Sequence, residues 1–167
     1  MSDNYAVING KRVELTDEQV NMLGVEVEKK RRNPFKRVDN DNEYYYIKNS
    51  GEVSNYCEVR DSVDNELYDN INYFNDEQFA QQVALHQLLY RKLLKFAYDN
   101  ECEDTAEWND SFNHYYLYYS HRERRVKVDA NADSQKIGVY FSTKKGAERA
   151  IKEVVEPFMA KHPEFVW

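Results

Sequence analysis

The sequence predicts an α+β fold: an antiparallel sheet built from two degenerate strand-strand-strand-helix units, with the helices on one face, plus an N-terminal hairpin and short helix. Three observations predict it. Tyr, Val and Ile collect in short runs bounded by Asn, Gly and Ser, the pattern of strands on a half-buried sheet. After Asn75 apolar residues recur every three or four positions, the spacing of a helix that buries one face. The chain of 167 residues is 41% hydrophobic and 14% aromatic, enough apolar surface for a core and too much for a disordered chain.

Taken from the start, Tyr5-Ala6-Val7-Ile8 and Lys11-Arg12-Val13-Glu14 flank Asn9-Gly10. A two-residue type I′ hairpin turn needs positive φ at both central positions, which Asn and Gly tolerate. Thr16 and Gln19 then have the spacing of a reciprocal capping box that opens a short helix, with Gly24 as its end. The basic run Lys29-Lys30-Arg31-Arg32 leads to Asn33 and the helix-stopping Pro34. This predicts a boundary between an N-terminal appendage, residues 1–33, and a main domain, residues 34–167.

Within the main domain Tyr44-Tyr45-Tyr46-Ile47, a turn at Asn49-Ser50-Gly51, Val53-Ser54-Asn55-Tyr56 and Asn72-Tyr73-Phe74 read as strands. A helix follows, capped by Asn75, with Phe79, Val83, Tyr90, Leu93 and Leu94 on its apolar stripe and Leu85, Leu88 and Leu89 widening it, running to about Tyr98. A second copy starts at His114-Tyr115-Tyr116-Leu117-Tyr118-Tyr119 and turns near residues 120–123. It continues through Arg125-Val126-Lys127-Val128 and Gly138-Val139-Tyr140-Phe141 to a helix capped by Ser142. Pro157 interrupts that last helix by removing an amide and crowding the preceding turn, so a kink or restart is predicted.

Charge is unevenly distributed. The net formal charge is -7, yet residues 39–77 alone hold eleven acidic and two basic side chains. The segments on either side of this acidic middle are mildly basic at the two ends of the chain. The five glycines are scattered, so no phosphate-cradling loop occurs, and neither a Gly-x-Ser-x-Gly elbow nor a His-Glu-x-x-His motif is present. Cys57 and Cys102 are too few for a disulfide framework and read as free thiols. Cys102 stands between Glu101 and Glu103, which disfavours a thiolate nucleophile. Zinc binding by Cys57, Cys102, His114 and His121 would lack the short paired spacing of structural sites. The reading is therefore a non-enzyme with no metal and no cofactor. The start of the chain has no basic stretch followed by an apolar run, and no segment is long and apolar enough to span a bilayer. Cytoplasmic residence and no membrane contact are expected.

Two surfaces remain as candidates for binding. Asp61, Asp64, Glu66 and Asp69 lie in the acidic middle, in what reads as an Asn- and Asp-rich loop, and could dock onto a cationic partner. Tyr118, Tyr119, Arg122, Arg124 and Arg125 combine rings and cations, the pairing that single-stranded nucleic acid requires. Against the second stands the acidic sequence pI of about 5.2.

The combination Glu43-Tyr44-Tyr45-Tyr46-Ile47, Ser50-Gly51-Glu52-Val53 and Asn72-Tyr73-Phe74, followed by Val139-Tyr140-Phe141-Ser142-Thr143 and Ala147-Glu148-Arg149-Ala150-Ile151, resembles small accessory proteins of bacteriophages and prophages of Gram-positive bacteria. The resemblance spans residues 33–167 and transfers no functional residue. It implies an anti-defence role: a stoichiometric inhibitor of a host protein or ribonucleoprotein complex that processes nucleic acid, such as a CRISPR effector nuclease. Alternatives are a nucleic-acid-binding accessory protein and a nucleotide or small-molecule binder. Either a monomer or a homodimer is compatible with the sequence.

Overall fold

Asn9 and Gly10 take φ of 52° and 74°, the mirror-image turn that matches strand twist. They join β1 (Tyr5–Ile8) to β2 (Lys11–Glu14) as an antiparallel hairpin. The Thr16 amide donates to Gln19 Oε1 and the Gln19 amide to Thr16 Oγ1, closing the capping box that opens α1 (Asp17–Met22). The computed structural model describes residues 5–23, 33–109 and 111–167. Gly24 and the basic run at residues 29–32 lie outside them. The chain divides into two units, Met1–Asn33 and Pro34–Trp167.

In the second unit β3 (Glu43–Ile47) pairs antiparallel with β4 (Val53–Cys57) around a turn in which Gly51 has φ of 89°. The other edge of β3 meets Phe74 through two backbone hydrogen bonds with Tyr45. Two residues earlier the Asn72 side-chain amide bonds both the N–H and the C=O of Ile47, imitating one more rung of strand backbone. The chain then turns into α3 (Glu77–Asp99), whose N-cap is Asp76 rather than Asn75, accepting from the Phe79 amide.

The second strand group is a three-stranded sheet in the order β6-β5-β7, formed by β5 (His114–Ser120), β6 (Arg125–Asn131) and β7 (Tyr140–Phe141). Thr143, not Ser142, caps α4 (Lys144–Ala150) by accepting from the Gly146 amide. The two groups do not merge. β3–β4 and β6-β5-β7 are separate sheets, because each Tyr-Phe pair gives way to a helix cap before a longer ladder can form.

One further feature departs from the sequence reading, and another gives it detail. Residues 62–69 form α2 (Ser62–Asp69) instead of a loop, nucleated by a capping box between Asp61 and Asp64. At Pro157 the sequence predicts a kink or restart, and the α-helix restarts there with the proline in its first turn. A π-helical turn (Ile151–Val155) leads into α5 (Glu156–Lys161), with the Glu156 amide bonded five residues back to Ile151. Widening the turn just before the proline accommodates a residue that has no N–H to give.

The core lies between α3, α4 and α5 on one side and the inward face of β5 and β6 on the other. Leu89, Leu93, Phe96, Phe141, Ala147, Ala150, Val155 and Phe158 are buried there, with Leu117, Val126 and Val128 packed against them. The buried stripe of α3 is Ala80, Ala84, Leu89, Leu93, Phe96 and Ala97. Tyr90 and Leu94, expected inside, are 46% and 38% exposed. Gly146 comes so close to Cys102 that an added Cβ would lie 2.9 Å from the Cys102 Cβ.

Candidate functional site

The acidic middle folds into the layer formed by β3, β4 and α2, and it sorts its carboxylates into two kinds. Glu58 and Asp64 are fully buried. Glu58 takes a bidentate pair of hydrogen bonds from Arg37, at 2.8 and 2.9 Å, and accepts from the Tyr73 hydroxyl and the Arg60 amide. The Arg37 bonds hold its carboxyl well below the usual range, at about 2, against the opposing effect of burial. Asp64 accepts from the Tyr44 hydroxyl at 2.7 Å and from the amides of Val59 and Asp61. Tyr44 lies flat on Tyr73, with ring centroids 4.0 Å apart. Burial, with the adjoining carboxylates, raises both phenols above the ordinary tyrosine range. All four carboxylate oxygens in this group have partners, so it is a structural knot, and Asp64 is not on a docking surface as the sequence suggested. Its carboxylate completes the α2 cap and could not do so from solvent.

The other nine carboxylates of residues 39–77 remain accessible at the surface. Among the described residues none of these nine forms an ion pair. Downstream, Asp99, Glu123, Glu148 and Glu153 each face a Lys or Arg, and Asp104 and Glu164 each face a His. Asp61 is exposed but committed to the α2 cap, through the Val63 and Asp64 amides. Glu66 and Asp69 point outward from α2 with no cation beside them.

The basic candidates all fall on the β5–β6 hairpin, whose turn ends at Arg124 with φ of 52°. They are not equally free. Arg125 and Lys127 are both held by Glu123, whose carboxyl those bonds lower. Tyr119 stacks parallel to Trp167, centroids 5.8 Å apart. Arg122, Arg124 and Tyr118 are exposed, without a described ion pair.

Cys57 is exposed and Cys102 buried, and burial raises the Cys102 thiol above its ordinary value. No three His, Cys, Asp or Glu side chains converge in metal-binding geometry among the described residues. His86 is exposed and bonded to the Val166 carbonyl. His114 is different. It is fully buried, its Nδ1 lies 2.5 Å from Asp104 Oδ2, and Trp108 stacks on its face at 3.7 Å. A carboxylate only accepts, so Nδ1 carries the proton, and the buried Nε2 is left without a partner among the described residues. The Asp104–Trp108–His114 group was not visible in the sequence, because its members are separated by loop residues of no periodic pattern. Arg37 and Glu58 escaped for a similar reason, since only the fold brings positions 21 residues apart together.

No helix among the described residues is long and apolar enough to cross a membrane. Compared with known proteins, the chain matches no protein-family model, no curated sequence and no solved structure.

Proposed function

We propose that this chain is a stoichiometric protein-binding factor whose acidic layer docks onto a cationic surface of a host nucleic-acid-processing complex and inhibits it. The observation that carries the reading is the set of nine surface carboxylates with no ion pair among the described residues. Downstream, six of the acids have a basic or imidazole side chain beside them. In the acidic layer the acids are left as a field that raises the on-rate for a positive partner. A groove that normally holds nucleic acid has the complementary charge. A phage or prophage origin, with a CRISPR effector as one such complex, accords with the resemblance in the strand and cap motifs.

The two-unit reading of the fold belongs with this proposal. Support comes from register: Phe74 bridges to Tyr45 and Phe141 to Tyr115, each Phe follows a Tyr, and each stands two residues before a helix cap.

The test reverses Glu43, Glu66 and Asp69 to Lys, leaving Asp61 and Asp64 because they build α2. Tagged wild-type and triple-variant proteins are passed through host lysate at about 50 and 200 mM salt, spanning strong and weak screening. The expected result is a defined complex retained by the wild type at low salt, lost at high salt and absent with the variant. Equal retention by both proteins overturns the reading.

A further inference from the structure

A groove of about 400 Å³ opens beside the sheet. Its origin is topological. β7 pairs with β5 only at Tyr115 and Tyr116, so residues 136–139 diverge and leave a wedge between themselves, the rest of β5 and α3. Leu89, Leu93 and Val139 supply apolar floor, and three rings from three elements line it: Tyr90 of α3, Tyr118 of β5 and Trp167. The volume falls within the range of small-molecule sites.

The polar groups converge at one end. Lys136 Nζ donates to Tyr116 Oη at 2.5 Å, and Tyr116 in turn donates to Asp129. The Lys136 amide donates to Tyr140 Oη at 2.6 Å. The two phenols are each 8% exposed. This leaves the remaining hydrogens of the Lys136 ammonium for an acceptor, together with the Tyr140 hydroxyl hydrogen. The bond to Tyr116 raises Lys136 above the ordinary lysine range, so it stays charged. No Asp or Glu side chain among the described residues lines the groove, and Asp129 reaches Lys136 only through the Tyr116 hydroxyl.

We infer that this groove is a binding site for a planar aromatic ring carrying an anionic group, with the ring between the tyrosine and tryptophan faces and the anion on Lys136. Offset and edge-on ring contacts favour an aromatic occupant over an aliphatic one, and the lone cation selects its charge. The inference does not depend on the acidic layer.

The experiment uses the full chain labelled with ¹⁵N. Trp108 and Trp167 are the only tryptophans, so two indole N–H signals report, and a Trp108→Phe variant assigns them. The probes are 2-naphthoate and its neutral isostere 2-naphthamide, with adenosine monophosphate and adenosine as the phosphate pair. A saturable shift of the Trp167 signal is expected, with at least one anion bound about tenfold or more tighter than its neutral partner. Lys136→Met should bring that anion down to the neutral affinity while the neutral probe is unaffected. The better anion identifies carboxylate or phosphate. Equal affinities within both pairs, a shift confined to Trp108, or no saturable shift with any probe overturns the inference.

Discussion

Near Glu58, Tyr44 lies on Tyr73 and both hydroxyls end on buried carboxylates that are themselves saturated with donors. Near His114, Trp108 lies on an imidazole at the start of β5 and meets the edge of Tyr140, which meets the edge of Tyr116. Both clusters sit where a Tyr-Phe pair closes on the first strand of a hairpin. In the first, all four carboxylate oxygens have partners. In the second, His114 Nε2 has no partner among the described residues and Lys136 holds donors in reserve beside an open groove. One arrangement seals a layer whose outer surface is then available for a partner, and the other keeps polar capacity inside. Buried polar networks stabilise when complete, so the unfinished one is where binding chemistry is to be sought.

The sharpest way to break the contrast is at Glu58. Glu58→Ala leaves Arg37 partly buried without its counter-ion and strips the Tyr73 hydroxyl of its acceptor. A loss of about 3–5 kcal/mol in denaturant-induced unfolding is expected, the scale for breaking a buried pair from one side. The carboxyl titrates lower in the folded chain than in the unfolded one. Its contribution is therefore complete above the unfolded value near 4.5 and disappears as the pH falls from there towards 2. Stability profiles of wild type and Glu58→Gln should converge over that window. Parallel profiles would show that Glu58 is not the titrating support.

Asp64 ranks next. Asp64→Ala removes a buried acceptor from Tyr44 and from two amides, and a cost of about 3 kcal/mol is expected. Asp61→Ala removes only the exposed half of the cap, for about 1 kcal/mol. Comparable losses from the two would mean that the buried knot is no stronger than an ordinary helix cap.

Those two aspartates also show where the sequence was readable. Asn9-Gly10, the Thr16–Gln19 box and the long helix follow from local rules, and the structure contains each of them. Asp61-x-x-Asp64 is an equally local signal, but α2 has so few apolar residues that charge obscured it. Burial of Asp64 is a tertiary fact: it depends on Tyr44, 20 positions away. The face of α3 was legible in part: Leu89 and Leu93 are buried as expected, while large apolar residues drew attention from Ala80, Ala84 and Ala97, whose small side chains allow close approach by neighbouring elements. The groove was unreadable for the same kind of reason, since it exists only because β7 ends after two residues.

On the other side of the comparison, Trp108→Ala uncovers His114. Removing a tryptophan from a core costs about 3–5 kcal/mol. Trp108 is only half-buried, and water reaching the orphaned Nε2 offsets part of the loss, so about 2 kcal/mol is expected. A loss as large as a full core deletion would argue that the imidazole gains nothing from hydration. Gly146→Ala should be smaller still. Its new methyl would crowd Cys102, an overpacking cost of about 1–3 kcal/mol, while alanine returns about 1 kcal/mol of helix propensity. A net loss near 1 kcal/mol in thermal or denaturant unfolding is expected, and a stabilised variant would show that Cys102 moves freely.

The smallest effect separates stability from binding. Asp69 ends α2, where the helix presents its negative pole, and it lies three residues from Glu66 with no basic residue in the last turn. Both features favour a cation at this position. Asp69→Lys should therefore raise stability by a few tenths of a kcal/mol, about the resolution of careful chemical denaturation. Under the docking proposal this carboxylate serves the cationic partner and not the fold. If Asp69→Lys instead destabilises the chain, the residue has a structural role, and the unpaired charge of α2 loses its value as evidence for docking.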